Sequence, residues 1–288
     1  MEIDKNETIY FINLDGLGDA WYSIPVLKYL SKIIKNKVNV YSGCKQLNPI
    51  LKRFSFINLI EKITTYDKII KLFNLNKGYD NDVTLISCDT TDFITTLMFN
   101  GMVLSKEDKE MLFPKIKTKD FKKYDLVFHI AETWKSRSIS KDVWKKLYKK
   151  YSEEGYSIAL IGKEVQACDM IKKCICIDVN EEDNYVNKLS LDETMNLIDN
   201  SRILVTGQGG ISVLSGGLRN CSIVVAEGCV HKEYRYIIRN GSYNWNVKYV
   251  PNRSKIYHTG VITNEVTDDI RQMPIYEDMV EFIDYFLN

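Results

Sequence analysis

Strand-like and helix-like patterns alternate along this chain, lapse once, and then begin again; no other feature restricts the fold as much. Apolar runs of strand length stand at residues 8–14, 37–42, 57–63 and 82–88, and helical patterns at 20–35, 46–54, 66–74 and 91–100. Strands separated by helices predict a parallel sheet covered on both faces, because parallel neighbours need a crossover connection. Over residues 105–123 the pattern gives way to SKEDKEMLFPKIKTKDFKK, highly charged and holding one of the chain's five prolines. This predicts a domain junction, with a solvated loop inside one domain as the alternative. The alternation then restarts. Strands are predicted at 126–130, 157–161, 174–179 (CICIDV), 203–206 and 222–226, and helices at 140–154, 164–173, 191–200, 210–218 and 275–287. Ser140 and Ser190 stand at helix N-cap positions, and Glu193 completes the capping-box spacing with Ser190. The expectation is an α/β chain of two Rossmann-like domains, residues 1–118 and 119–288, with parallel sheets facing across a cleft. The C-terminal helix 275–287 is offered as packing back on the N-terminal domain.

Composition narrows the functional classes. A chain of 288 residues that is 45% hydrophobic and 27% charged matches an ordinary globular protein with room for two medium domains. Its formal net charge of +1 gives no overall bias towards nucleic acid or membrane. No apolar run approaches the roughly 20 residues of a membrane-spanning helix. The polar N-terminus MEIDKNETIYF runs directly into a strand, so no signal peptide is read and a cytoplasmic location is expected. The seven cysteines are scattered without a C-x-x-C. Cys174 and Cys176 make only C-x-C, poor spacing for zinc, so reduced thiols and no metal site are expected.

The first candidate site follows the opening strand. The apolar run Ile9-Tyr10-Phe11-Ile12 leads into Asp15-Gly16-Leu17-Gly18-Asp19 and then a helical pattern. Strand, glycine loop and helix start in that order form a ligand site in α/β proteins, because glycines admit a ligand to the backbone and the helix start offers unpaired N–H groups. This loop ends on a carboxylate, which repels phosphate. Asp19 therefore reads as a general base, and Gly16 and Gly18 as the close-approach positions of an acceptor loop.

Two further segments carry the opposite chemistry. Thr206-Gly207-Gln208-Gly209-Gly210-Ile211-Ser212 follows a buried-type strand and opens a small-residue helix. With Gly209 and Gly210 lacking side chains, backbone N–H groups can reach phosphate oxygens, and the helix dipole assists. No Gly-Lys-Ser/Thr follows, so it is not a P-loop. A tight strand-to-helix turn serving packing alone is the alternative. Ala131-Glu132-Thr133-Trp134-Lys135-Ser136-Arg137-Ser138 leaves the C-terminal end of another strand, the edge where α/β sheets bind ligands. There Lys135 and Arg137 can neutralise a diphosphate and Thr133 can hydrogen-bond it, against the alternative of a solvated basic loop. Glu227 ends a third strand, where a carboxylate can accept from a ribose hydroxyl or cap a helix. His129, inside an apolar strand, reads as a core histidine. His231 and His258 have no metal-ligand spacing around them.

Taken together, these segments resemble the heptosyltransferase-like glycosyltransferases of family 9, which have the GT-B fold. The resemblance lies in LDGLGDAWYSIPVLKYL, in VFHIAETWKSRSISKDVWKKLYKKYSEEGYSIALIGKE and in LSLDETMNLIDNSRILVTGQGGISVLSGGLRNCSIVVAEG, in that order, over a third to a half of the chain. It implies an inverting transferase that takes a sugar from a nucleotide-diphosphate sugar, with the acceptor on the N-terminal domain and the donor on the C-terminal one. It implies Asp19 as catalytic base, Thr133, Lys135 and Arg137 on the donor-phosphate loop, Gly209 and Gly210 on the phosphate turn, and Gln208, Ser212 and Glu227 near the donor nucleotide or sugar. No cofactor or obligatory metal is expected beyond the nucleotide-sugar co-substrate. The chain departs from the family where an acid and a histidine are usual: Gln208 and Val213 stand there. The acceptor stays open among a glycan, a glycolipid and a modified nucleic acid. The rival readings are a glycosyltransferase acting on DNA bases or nucleotides, a non-catalytic nucleotide-binding protein on the same fold, and a sugar-nucleotide epimerase. Domain closure about residues 105–123 is expected to gate turnover.

Overall fold

The computed structural model describes residues 9–13, 24, 27–28, 30–32, 34–42, 47–61, 68–72, 85–88, 121–131, 139–167, 170–172, 174–207, 209–215, 221–226, 247–250 and 276–288. The chain divides into two compact units, Met1–Pro114 and Lys115–Asn288, the division falling in the charged stretch that interrupts the sequence pattern.

In the first unit, strands β1 (Ile9–Asn13), β2 (Val38–Ser42), β3 (Ile57–Leu59), β4 (Lys68–Leu72) and β5 (Leu85–Cys88) form one parallel sheet in the order β3-β2-β1-β4-β5. Between β1 and β2 the helical residues Ile24, Leu27, Leu30 and Ile34 are all buried. Their three- and four-residue spacing is that of a helix lying on the sheet. Lys35 ends the helical run at φ 53°, in the left-handed region that L-residues enter at a cost of about 1 kcal/mol. A short helix, α1 (Asn48–Leu51), with its proline in the first turn, leads to β3.

One expectation is corrected here. Residues 66–74, predicted helical, contain β4, which pairs with β1 through Phe11↔Ile70 and with β5 through Ile70↔Ile86. Apolar residues at 69, 70, 72 and 73 are spaced as on a helix face, and over so short a stretch periodicity alone does not separate a helix from a strand. The predicted helix at 91–100 lies outside the described residues.

The second unit holds β6 (Leu126–His129), α2 (Lys141–Glu153), β7 (Ile158–Ile161), β8 (Val165–Ala167), β9 (Met170–Lys172), α3 (Leu191–Asp199), β10 (Ile203–Gly207), α4 (Gly210–Ser215), β11 (Ser222–Ala226), β12 (Val247–Val250) and α5 (Tyr276–Leu287). Its main sheet is parallel, in the order β12-β11-β10-β6-β7. Every residue of β6 and β7 is buried, as are the first four of β10 and the last four of β11. That unbroken burial marks strands covered on both faces. Phe128 meets Trp144 at 5.2 Å between ring centroids, and Leu147, Tyr151, Leu160, Val205, Met279 and Ile283 join them in one core. Burying each such side chain contributes about 1.5–3 kcal/mol.

The N-caps form as predicted. Ser140 accepts from the Val143 N–H at 3.3 Å, and Ser190 and Glu193 complete a capping box at the start of α3. Two segments differ from expectation. Residues 164–173, predicted helical, are the antiparallel hairpin β8–β9, paired through Val165↔Lys172 and Ala167↔Met170. A stretch this short gains little from helix propensity, so the local hairpin pairing competes with it. Residues 174–179, predicted as a strand, form no strand beyond an isolated bridge at Cys174, with Ile175 and Ile177 buried. They meet the exit of β6 through the Ala131↔Cys174 bridge and the Ile175 N–H to Ile130 carbonyl bond of 3.1 Å. The sequence patterns did not signal β12. The buried face of α5 (Met279, Ile283) lies in this unit's own core, and Tyr151 Oη donates to Asp284 at 2.9 Å. Those contacts are with the second unit's own sheet and α2.

Candidate functional site

Strand order picks out one edge of each sheet. In the second unit the chain passes from β6 to β7 on one side and then returns to place β10 on the other side of β6. The gap above the C-terminal ends of β6 and β10 is therefore a topological switch point, where crossovers diverge and α/β sheets hold ligands. The first sheet has its own switch point between β1 and β4.

The opposite, N-terminal edge of the second sheet is closed by structural polar contacts. The Asp125 carboxylate accepts from the Ser157 backbone N–H at 3.0 Å and from Ser157 Oγ at 2.8 Å, and lies 3.5 Å from Arg202. Burial alone would raise this carboxyl; the Ser157 hydrogen bonds and the Arg202 guanidinium outweigh it and hold it below the ordinary aspartate value. Beside it Tyr124 Oη donates to Asp183 at 2.8 Å and also meets Tyr185 Oη at 3.0 Å; burial, with these hydrogen bonds, pushes the Tyr124 phenol upward.

At the C-terminal edge the register aligns the exits of three strands. His129 of β6 pairs with Thr206 of β10, and Gly207 of β10 pairs with Ala226 of β11. Neighbouring strands lie about 5 Å apart, so β6 and β11 are separated by about 10 Å. The segments that sequence singled out, residues 132–138, 208–210 and Glu227, thus leave from adjoining positions on one edge. That juxtaposition joins the basic segment to a turn about 70 residues further along the chain.

Of the predicted site residues, the structure describes Gly209, Gly210 and Ser212. Gly209 and Gly210 are half-buried at the start of α4. The Gly209 N–H donates to Ser212 Oγ at 3.0 Å, and Ser212 Oγ donates to the Gly209 carbonyl at 2.7 Å. Ser212, assigned by resemblance to the donor, thus closes the turn on itself and occupies one of the two glycine amides expected to meet phosphate. Asp19, Gly16, Gly18, Thr133, Lys135, Arg137, Gln208 and Glu227 lie outside the described residues, as do His231 and His258. In the sequence Asp15 to Asp19 come shortly after β1, which is one of the two strands flanking the first sheet's switch point.

One pair was not singled out as a site. His129 is buried, as a core histidine should be, yet it is the last residue of β6 and its Nδ1 lies 3.0 Å from Thr206 Oγ1 across the switch point. The available signal was positional: a polar residue ending one strand, and another preceding the glycine turn that ends its neighbour. Among the described residues no group of three or more His, Cys, Asp or Glu is placed to hold a metal ion, and no helix is long and apolar enough to cross a membrane. Cys174, Cys176 and Cys221 are thiols rather than disulfides, and burial pushes the Cys221 thiol upward.

No known family's sequence model matches this chain, and no curated protein matches it in sequence. Solved structures do match. The ADP-heptose lipopolysaccharide heptosyltransferase II of E. coli is 13% identical with a TM-score of 0.53, over 98% of this chain and 100% of that one. A glycosyl transferase of family 9 from Veillonella parvula is 12% identical with a TM-score of 0.63, over 100% of this chain and 98% of that one. The iron-containing dodecameric glycosyltransferase TibC of enterotoxigenic E. coli is 11% identical with a TM-score of 0.64, over 97% of this chain and 75% of that one. At such identities the likeness is one of fold. The chain has the GT-B fold of these glycosyltransferases, and its resemblance to family 9, drawn from three sequence blocks, is matched in three dimensions.

Proposed function

We propose that this chain is an inverting glycosyltransferase that moves a sugar from a nucleotide-diphosphate sugar to an acceptor hydroxyl. The observation that carries the reading is the switch point between β6 and β10. The basic segment with Thr133, Lys135 and Arg137 and the turn with Gln208, Gly209 and Gly210 leave from neighbouring strand ends there. The shared fold supports it, since TibC has been solved in complex with ADP-D-β-D-heptose.

In this mechanism the Asp19 carboxylate takes the proton of the acceptor hydroxyl. The hydroxyl oxygen attacks the anomeric carbon from the face opposite the nucleotide. The bond from that carbon to the β-phosphate oxygen breaks, and its electron pair leaves with the diphosphate. General-base help of this kind contributes about 10²–10⁴-fold. Lys135, Arg137 and the Gly210 N–H stabilise the departing charge, the electrostatic role that usually contributes most. Their positive charge takes the place of an obligatory divalent cation. Because TibC is described as iron-containing, that part of the proposal is tested by metal analysis of the purified protein and by transfer in the presence of a chelator. A cytoplasmic location belongs to the same proposal.

The deciding experiment is a thermal-shift panel of nucleoside diphosphates and their sugars, ADP-heptose included, followed by transfer assays with the stabilising donor. A selective donor at about 100 times its Kd adds about 2.7 kcal/mol of stability. Asp19→Asn is expected to keep donor binding and to lose transfer by about 10²-fold or more. Failure of every nucleotide to stabilise the chain overturns the reading; retention of most activity by Asp19→Asn overturns the base assignment.

A further inference from the structure

The switch point of the second sheet carries a polar pair that the reaction scheme does not use. Thr206 is fully buried, and its Oγ1 makes two short contacts: 3.0 Å to His129 Nδ1 and 3.0 Å to the carbonyl oxygen of Gly207. A hydroxyl has one hydrogen, and a carbonyl oxygen can only accept. Both contacts are satisfied together in one arrangement alone: the hydroxyl donates to the Gly207 carbonyl, and its oxygen accepts from a protonated Nδ1. With the hydroxyl hydrogen turned to Nδ1 instead, two oxygens would face each other at 3.0 Å in a buried site, which costs a hydrogen bond. The arrangement therefore places a proton on Nδ1.

We infer that His129 and Thr206 are a positioning pair for the donor-binding turn. The imidazole at the end of β6 holds the Thr206 hydroxyl, and the hydroxyl holds the Gly207 peptide, the last of β10 before the chain enters the Gln208, Gly209 and Gly210 turn. The same histidine lies three residues before residue 132, where the basic segment begins. The pair therefore ties the exits of both donor-binding segments to each other, across a sequence separation of 77 residues. Neither residue touches the donor in this scheme. The inference rests on the proposed function, because it names the turn as a diphosphate site.

The test has two arms. In the first, ¹H–¹⁵N spectra of the imidazole nitrogens of the ligand-free protein, with His129 assigned by its absence from His129→Asn, report the tautomer. An Nδ1–H signal is expected, and an Nε2–H tautomer overturns the inference with no ligand involved. In the second, ADP, UDP, GDP and CDP are titrated against the unaltered protein, and the tightest is carried to the variants. Thr206→Val, which keeps the side chain's shape, is expected to weaken it by about tenfold or more. Thr206→Ser, which restores the hydroxyl, is expected to bind within about threefold of the unaltered protein. His129→Asn, whose amide can donate in place of Nδ1, and His129→Leu, which cannot donate, carry the same contrast should Thr206→Val not fold. Binding by Thr206→Val and His129→Leu as tight as that of the unaltered protein overturns the positioning role and leaves the proposed function standing. No binding of any diphosphate by the unaltered protein overturns both.

Discussion

A methyl group added at Gly162 tests whether the exit of β6 is as tightly held as the structure indicates. Gly162 follows β7, and a Cβ there would lie 2.8 Å from Cys174 Sγ, 3.3 Å from the Ala131 backbone nitrogen and 3.4 Å from Ala131 Cβ. Non-bonded heavy atoms are at ease near 3.5–4.0 Å, so the sulfur contact is too close by roughly 0.7 Å or more. The backbone that carries both neighbours is held in place. Ala131 is bridged to Cys174, the adjoining Ile130 N–H donates to the Ile161 carbonyl at 3.0 Å, and the Ile175 N–H donates to the Ile130 carbonyl at 3.1 Å. Forced overpacking of this kind costs about 1–3 kcal/mol, beside any backbone strain from the Gly162 φ of 159°, which does not depend on the sulfur. For a folding unit of this size each kcal/mol lowers Tm by about 2–4 °C, so Gly162→Ala is expected to melt lower by about 2–12 °C. The assay is a double-mutant cycle with Cys174→Ala, by urea denaturation at constant m-value. Removing the sulfur is expected to return about 1 kcal/mol or more as a coupling term. A Gly162→Ala variant as stable as the parent would refute the reasoning, as would a penalty that persists unchanged without the sulfur.

Two further outcomes are expected. Ser190→Ala removes the cap of α3, where Ser190 Oγ accepts from the Glu193 N–H at 3.3 Å and meets the Glu193 carboxylate at 2.8 Å; a loss of about 1–2 kcal/mol by denaturant titration is expected, largely spared in Ser190→Thr. Asp125 has a folded-state pKa below its unfolded value. Its stabilising contribution is therefore complete above the ordinary value of 3.8 and is lost as the pH falls through the folded-state value. The difference in Tm between the parent and Asp125→Asn is expected to shrink as the pH is lowered past that ordinary value, and a difference that is constant with pH would contradict the assignment.

The fold class was legible because its signals are local. Ser140, Ser190 and Glu193 announce helix starts through side chains that reach only three residues along the chain, and the structure has those caps. Buried strands such as Ile203–Gly207 and Ser222–Ala226 announce themselves by continuous apolar runs. The errors share a cause. Residues 68–72 and the β8–β9 hairpin are short segments whose own preferences are weak, so strand pairing settled their conformation, with distant strands for the first and within the hairpin for the second. Candidate site segments were legible too: glycine turns and basic segments after strands are sequence patterns with a stated chemistry. The use of Ser212 inside its own turn was not, since a hydroxyl beside glycines reads equally as a ligand or a cap.

The sequence by itself determined that strands and helices alternate in two series, and that each series carries a glycine turn, one ending in a carboxylate and one without. Those properties lie in neighbouring residues, within reach of short-range sterics and hydrogen bonding. Only the tertiary structure decided which strands are neighbours. The order β12-β11-β10-β6-β7 sets a switch point beside His129, brings Thr206 to within 3.0 Å of its ring, and starts the basic segment and the glycine turn from adjoining strand ends. Strand order depends on which apolar faces bury best against one another across the whole unit, and that is a property of no single segment.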